Sequence, residues 1–286
     1  MNIDPDLRMR LEASFAPLNK IAASKAFPAP MTLATQLEVL MPSADFVGPS
    51  KVGKSVSTLF ATAAVDCWLR GIHGFLTSAS LTEASPVWSS VSGYYSSHYC
   101  VRGFAHLLGY FQLYHKKRNV KMEIGKGGEY FCNFDKKLGA DREHKIYWKL
   151  VKENPHFVSE PLFAFNNSDP SIDASDAGHR ERMNYGDHIG LVPLFRNLDT
   201  PALRKRVEYI SQIEFTTPPI PKRSKAPDID SVQVVAYHRI VFFRRFLDEI
   251  LGGGNRFWSV HRTPSWVDGM TDFQLTEQGS LASLKN

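Results

Sequence analysis

A mainly α fold, a helical bundle with one small β-hairpin insertion, is what the sequence predicts, and three observations predict it. Apolar residues recur every three or four positions from Ser55 to Leu76 and again from Val87 onward. The period changes to two between Val120 and Phe134, on either side of a glycine-rich turn. The strand–helix alternation of a parallel sheet is missing.

The elements follow in chain order. Asp4 to Met41 is predicted as two short helices separated by the breaker Phe27-Pro28-Ala29-Pro30. Ser55 to Leu76 is alanine-rich and predicted as a helix. A longer helix is expected to begin at Pro86, with Ser85 as N-cap, and to run on to Lys117. Val87, Val91, Tyr94, His98, Val101, Ala105 and Leu108 mark one face of it, and the terminal lysines suit the helix dipole. Ser92, Gly93, Ser96 and Ser97 are small enough to let a neighbouring helix come close.

Val120, Met122 and Ile124 alternate with Lys121 and Glu123, and Tyr130, Cys132 and Phe134 alternate after Gly125-Lys126-Gly127-Gly128. That is a hairpin, and because a lone hairpin is marginal in water it should pack on the helices. A short helix is expected at Glu143 to Val151, with irregular chain to Asp169 and further helices at Asp173–Tyr185 and Ala202–Ile213. Thr216 to Pro227 is a basic, proline-rich linker in extended conformation. Asp228 to Leu251 is a strong helix stopped by Gly252-Gly253-Gly254. Trp258, Trp266, Phe273 and Leu275 give the C-terminal stretch something to pack. The expected division is an N-terminal helical segment and loop at 1–54. A helical domain at 55–286 follows, with the hairpin at 120–134 and the linker at 216–227.

With 286 residues, 43% of them hydrophobic, the chain can bury a core without disulfides or a structural metal. Cys67, Cys100 and Cys132 form neither a CxxC pair nor an even disulfide set, so they are expected as small buried hydrophobes in a reducing cytosol. The N-terminus, with early acidic residues and no apolar stretch, does not have the pattern of a signal peptide. No run reaches the roughly 18 apolar residues of a membrane span, so no membrane association is expected. A net charge of +5, with basic clusters at Lys116–Arg118, Arg204–Arg206 and Lys222–Lys225, permits nucleic-acid binding without demanding it.

One motif is deceptive. Gly48-Pro49-Ser50-Lys51-Val52-Gly53-Lys54-Ser55 matches the phosphate-binding P-loop pattern, in which Gly48 and Gly53 would shape the loop, Lys54 reach the outer phosphates and Ser55 hold magnesium. A P-loop grows out of a buried strand, and Met41 to Val47 is too polar and proline-broken for one. Nucleotide binding is therefore the least favoured reading.

Two other stretches carry a resemblance. Ser89 to Tyr110 holds paired tyrosines, small residues, a central His98 and Arg102. Gly178 to His188 holds Arg182 and His188 with five residues between them and the polar Asn184 inside that interval. Together they are similar to the HEPN superfamily of helical-bundle proteins, common among prokaryotic toxins and anti-phage systems. The similarity covers two blocks, Ser55–Tyr110 and Asp173–Leu251, and leaves out the hairpin and the N-terminal segment. Met183 stands where the family pattern has a polar residue, and Gly186 falls between the arginine and the histidine.

The resemblance implies an endoribonuclease that needs no metal and no cofactor, with Arg182, Asn184 and His188 as catalytic residues and a homodimer that brings two copies of the motif together. The chemistry is coherent. Histidine can take the proton of a ribose 2′-hydroxyl or give one to the leaving oxygen, and guanidinium can meet the growing phosphate charge with two parallel donors. His98 with Arg102, and Arg256 with His261, are secondary candidates. For His98 and Arg102 a hydrogen-bonding role in the core is the stronger expectation. His179, Asp187 and His188 do not make a closed tetrahedral metal set. The expected functions are thus a ribonuclease toxin or defence effector, then an inactive subunit holding RNA or a protein partner, then a nucleotide-binding regulator.

Overall fold

The computed structural model describes residues 3–17, 50–113, 118–124, 128–134, 143–157, 160–164, 200–215 and 229–251. These form seven helices and four strands: α1 Pro5–Phe15, β1 Ser50–Val52, α2 Lys54–Ser80, α3 Pro86–Leu107, β2 Tyr110–Leu113, β3 Arg118–Ile124, β4 Tyr130–Phe134, α4 Glu143–Glu153, α5 Pro161–Ala164, α6 Thr200–Gln212 and α7 Ile229–Leu251. The described chain is mainly helical, with one small antiparallel sheet. None of its helices is long and apolar enough to cross a membrane. The chain divides into two units.

The first unit holds α1, the sheet, α4 and the parts of α2, α3 and α7 at 54–68, 101–107 and 246–251. Its strands lie in the order β1-β4-β3-β2, all antiparallel. Alternation puts Val52, Phe111, Val120, Met122, Tyr130 and Cys132 on the inner face, where they bury against Val56, Leu59, Phe60 and Ala63 of α2. Phe60 meets Phe111 edge to face at 6.3 Å. A second cluster joins Phe104, Phe157 and Phe246, whose ring centroids lie 5.0, 5.3 and 5.6 Å apart.

Helix α1 starts where Asp4 caps the amides of Asp6 and Leu7 ahead of Pro5. It buries Leu7, Leu11 and Phe15. Two of its arginines serve other helices. Arg10, itself buried, donates to the Leu107 carbonyl at the end of α3, 2.5 Å away, and Arg8 donates to the Glu249 carbonyl near the end of α7 at 3.1 Å. Burial pulls the Arg10 guanidinium down to about 10, so it is still a cation at neutral pH, placed at a helix C-terminus where a cation is favoured.

The second unit holds 69–80 of α2, 86–100 of α3, α5, α6 and 229–245 of α7. Here α2 and α3 come together backbone to backbone. A Cβ at Gly74 would lie 3.1 Å from the Ser96 nitrogen and 3.2 Å from the Ser92 carbonyl oxygen, and one at Gly71 would lie 2.8 Å from Cys100 Sγ. Ser96 Oγ donates to the Gly71 carbonyl at 2.6 Å. Further along, Ser78 and Ser89 each donate to the other's carbonyl at 2.7 Å. Gln233 of α7 docks on this pair: its amide nitrogen reaches the hydroxyls of Ser78, Thr82 and Ser89 at 3.1, 2.9 and 3.0 Å. Its amide oxygen accepts from Arg206 Nε of α6 at 2.8 Å, and Arg206 also pairs with Asp230. Buried Arg239 donates to the Leu162 carbonyl of α5 at 2.9 and 3.2 Å.

Three expectations need correction. Helix α3 stops at Leu107 rather than Lys117, because Gly109 takes φ +89° and turns the chain into β2. At that end the Leu107 carbonyl accepts from Arg10. The hairpin is not alone: β1, expected as loop, and β2, expected as helix, flank it and make four strands. A short helix, α5, interrupts the stretch expected to be irregular. The expected second N-terminal helix, the Asp173–Tyr185 helix, the 216–227 linker and the Gly252–Gly254 stop lie outside the described residues.

Gly109 carries a direct test. A Cβ there would meet the Met122 carbonyl oxygen at 2.7 Å in a backbone conformation that L residues avoid. Gly109→Ala should cost about 1–3 kcal/mol in urea unfolding; a loss below about 0.5 kcal/mol would contradict this account of the turn.

Candidate functional site

The residues expected to carry catalysis, Arg182, Asn184 and His188, lie outside the described residues, as do Arg256, His261, Gly48 and the triplet His179, Asp187 and His188. Gly53 and Ser55 stand exposed at the junction of β1 and α2, with Lys54 between them as the first residue of α2. Ser50, Lys51 and Val52 are extended and paired with Cys132, Phe131 and Tyr130 of β4. Those three positions of the P-loop-like motif therefore do not curl around an anion.

The secondary pair, His98 and Arg102, lies on α3 at a spacing of one helical turn. His98 is buried: it stacks on Tyr94 at 6.1 Å and 11° and meets the rings of Tyr95 and Tyr99 at 6.4 and 6.0 Å. It is a core aromatic in its surroundings. Arg102 is half-buried, and its guanidinium lies 5.7 Å from the Tyr147 ring centroid.

One turn further on stands a histidine that sequence reading passed over. His106 is buried between Phe111, stacked at 5.2 Å, and Tyr147, edge-on at 5.6 Å. Its Nδ1 lies 2.8 Å from the Tyr110 carbonyl oxygen, which can only accept, so Nδ1 carries the proton. Its Nε2 is left to accept from Arg102 Nε at 3.4 Å. Burial, with the nearby Arg102 charge second, drives the imidazole down to about 3. Tyr147 closes the group by accepting the Gln112 amide at 3.0 Å. A neutral, enclosed imidazole of this kind orients a guanidinium and ties α3 to β2; it does not exchange protons with a substrate. The available signal was the spacing of His98, Arg102 and His106 every four residues, which places them along one side of α3.

Cys67, Cys100 and Cys132 are buried, and burial raises the Cys132 thiol to about 12, far from a nucleophilic thiolate. Among the described residues no group of three or more His, Cys, Asp or Glu side chains could hold a metal ion.

The enclosed imidazole makes stability depend on pH. Between the unfolded value of 6.5 and the folded value of about 3, the unfolded chain binds the extra proton. This contribution is complete above pH 6.5 and is lost as pH falls towards 3, by at most about 1.4 kcal/mol per pH unit. Urea unfolding at pH 7, 6 and 5 should show His106→Phe losing that share of the slope; parallel slopes for wild type and variant would contradict the assignment.

No family model, no curated protein and no solved structure matches this chain.

Proposed function

We propose that the chain is a metal-independent endoribonuclease of the HEPN type, acting as a toxin or anti-phage defence effector. The observation that carries the reading is the Arg182–His188 pair, with Asn184 between, in a chain whose tyrosine-rich segment is helical. That segment, α3, packs tightly on α2 as the core helix of a bundle does, with Tyr94 buried and Tyr95 half-buried beside it.

In the proposed reaction His188 takes the 2′-hydroxyl proton or protonates the leaving 5′-oxygen, while Arg182 meets the charge growing on the phosphate and Asn184 orients one or the other. The active form is a homodimer with two copies of the motif facing each other, working on RNA in the cytoplasm without a cofactor. A second reading has one observation in its favour. His98 and His106 on α3 are both enclosed in packing, so the described part of the chain holds no proton-transfer histidine on that helix. The bundle would then be a catalytically inactive subunit that binds RNA or a protein partner.

Purified protein incubated with end-labelled total RNA and tRNA in EDTA separates the two. Discrete cleavage is expected, reduced at least about 100-fold in Arg182→Ala and in His188→Ala. Intact RNA with folded wild-type protein would overturn the ribonuclease reading in favour of the binding subunit.

A further inference from the structure

Two helices of the second unit are buried very differently. In α6 the stripe Leu203, Val207 and Ile210 is buried, while Pro201, Ala202, Lys205, Glu208, Tyr209 and Gln212 are exposed. In α7 from Ile229 to Arg245 the last residue alone is exposed. A helix held by one apolar stripe opens at a lower free energy than one enclosed on all sides.

The polar fastening of α6 runs through one amide. Arg206 Nε can only donate, so the Gln233 atom 2.8 Å from it is the amide oxygen, and the amide nitrogen is turned to Ser78, Thr82 and Ser89. Ser78 and Ser89 donate their own protons to each other's carbonyls, which leaves their oxygen lone pairs to accept from Gln233. The orientation of the Gln233 amide is therefore set by Arg206. Arg206 is held in turn by Asp230, which also accepts from the Tyr209 hydroxyl at 3.1 Å. Gln233 is fully buried, so an amide oxygen that loses the Arg206 donor has to turn or meet water.

We propose that α6 is a strap that docks and undocks as one piece, and that Gln233 couples its position to the turn between α2 and α3. Undocked α6 takes Arg206 away from Gln233, the amide no longer has a fixed orientation, and the serine and threonine hydroxyls around the turn loosen. Docked α6 locks them. Coupling of this kind is reciprocal, so a change at the serine end shifts the docking of α6 by the same factor. The device does not depend on whether the chain cleaves RNA.

Hydrogen–deuterium exchange of the full chain, read by mass spectrometry, tests it. Peptides of α6 should exchange faster than those of α7 at 229–245. Arg206→Ala should speed exchange about 5- to 100-fold in α6 and also in residues 81–89, while Lys205→Ala, at an exposed neighbouring position, changes neither. Ser89→Ala removes a hydroxyl that bonds Ser78 and Gln233, and it should speed exchange in α6 as well. Protection of α6 equal to that of α7 in wild type would overturn the strap. Acceleration confined to α6 in Arg206→Ala, or confined to residues 81–89 in Ser89→Ala, would overturn the coupling. Peptides of the first unit at 118–134 should keep wild-type exchange in each variant, and equal acceleration there would overturn the device in favour of general loosening.

Discussion

The close approach of α2 and α3 is the constraint on which the second unit depends. A Cβ at Gly74 would press on the backbone of Ser92 and Ser96 at 3.1–3.2 Å, tighter than ordinary van der Waals contact, and one at Gly71 would meet Cys100 Sγ at 2.8 Å. Only at that separation do Ser78 and Ser89 reach each other's carbonyls and present their hydroxyls together. Gln233 then satisfies its amide against Ser78, Thr82 and Ser89, and the opposite end of the same amide fixes Arg206 and, through it, Asp230. A chain of buried polar groups in which each partner is satisfied rigidifies more than a comparable apolar contact, because a shift in any member strands the others. Gly93 completes the arrangement, since a Cβ there would lie 2.6 Å from a Val232 methyl of α7.

The first unit uses a different device. The end of α3 lies inside it, and arginines of α1 take up carbonyls at the ends of α3 and α7. Arg10 closes α3, Arg8 approaches the end of α7, and Arg102 holds the neutral His106 whose other nitrogen donates to Tyr110. The turn at Gly109 belongs to the same junction, because the Met122 amide donates to the Gly109 carbonyl and anchors β3 beside the end of α3. Cations that would read as surface charge in a sequence are therefore structural here.

How much of this was legible follows from the range of the interactions. Helices α2, α4, α6 and α7 announce themselves through local periodicity, and their ends lie within a few residues of expectation. The close approach was legible too, in the small residues Ser92, Gly93 and Ser96. The end of α3 was missed because Tyr110 to Leu113 continues the apolar pattern; the αL conformation of Gly109 and the pairing of Tyr110 with Lys121 decide it. Strand β1 has three residues and no periodicity of its own, so its pairing with β4 comes from tertiary context. His106 was invisible for the same reason, since its role depends on Tyr110, Phe111 and Tyr147, which a helix carried on to Lys117 would have placed elsewhere. Arg182 and His188 were found by spacing alone, a signal that contains no geometry.

The proposed cleavage is assigned to Arg182 and His188, and what the described residues supply to that proposal is a rigid helix pair, α2 and α3. The rigidity is the physical claim beneath it, and thermal unfolding of Gly74→Val beside Gly53→Val tests it most directly. A side chain at Gly74 strikes backbone, whereas one at exposed Gly53 has only the Ser55 hydroxyl within 4 Å, at 3.4 Å. The account predicts that Gly74→Val lowers Tm by on the order of 5 °C or more while Gly53→Val changes it far less. Equal, small shifts in both variants would show that α2 and α3 can move apart at little cost, and would contradict the account.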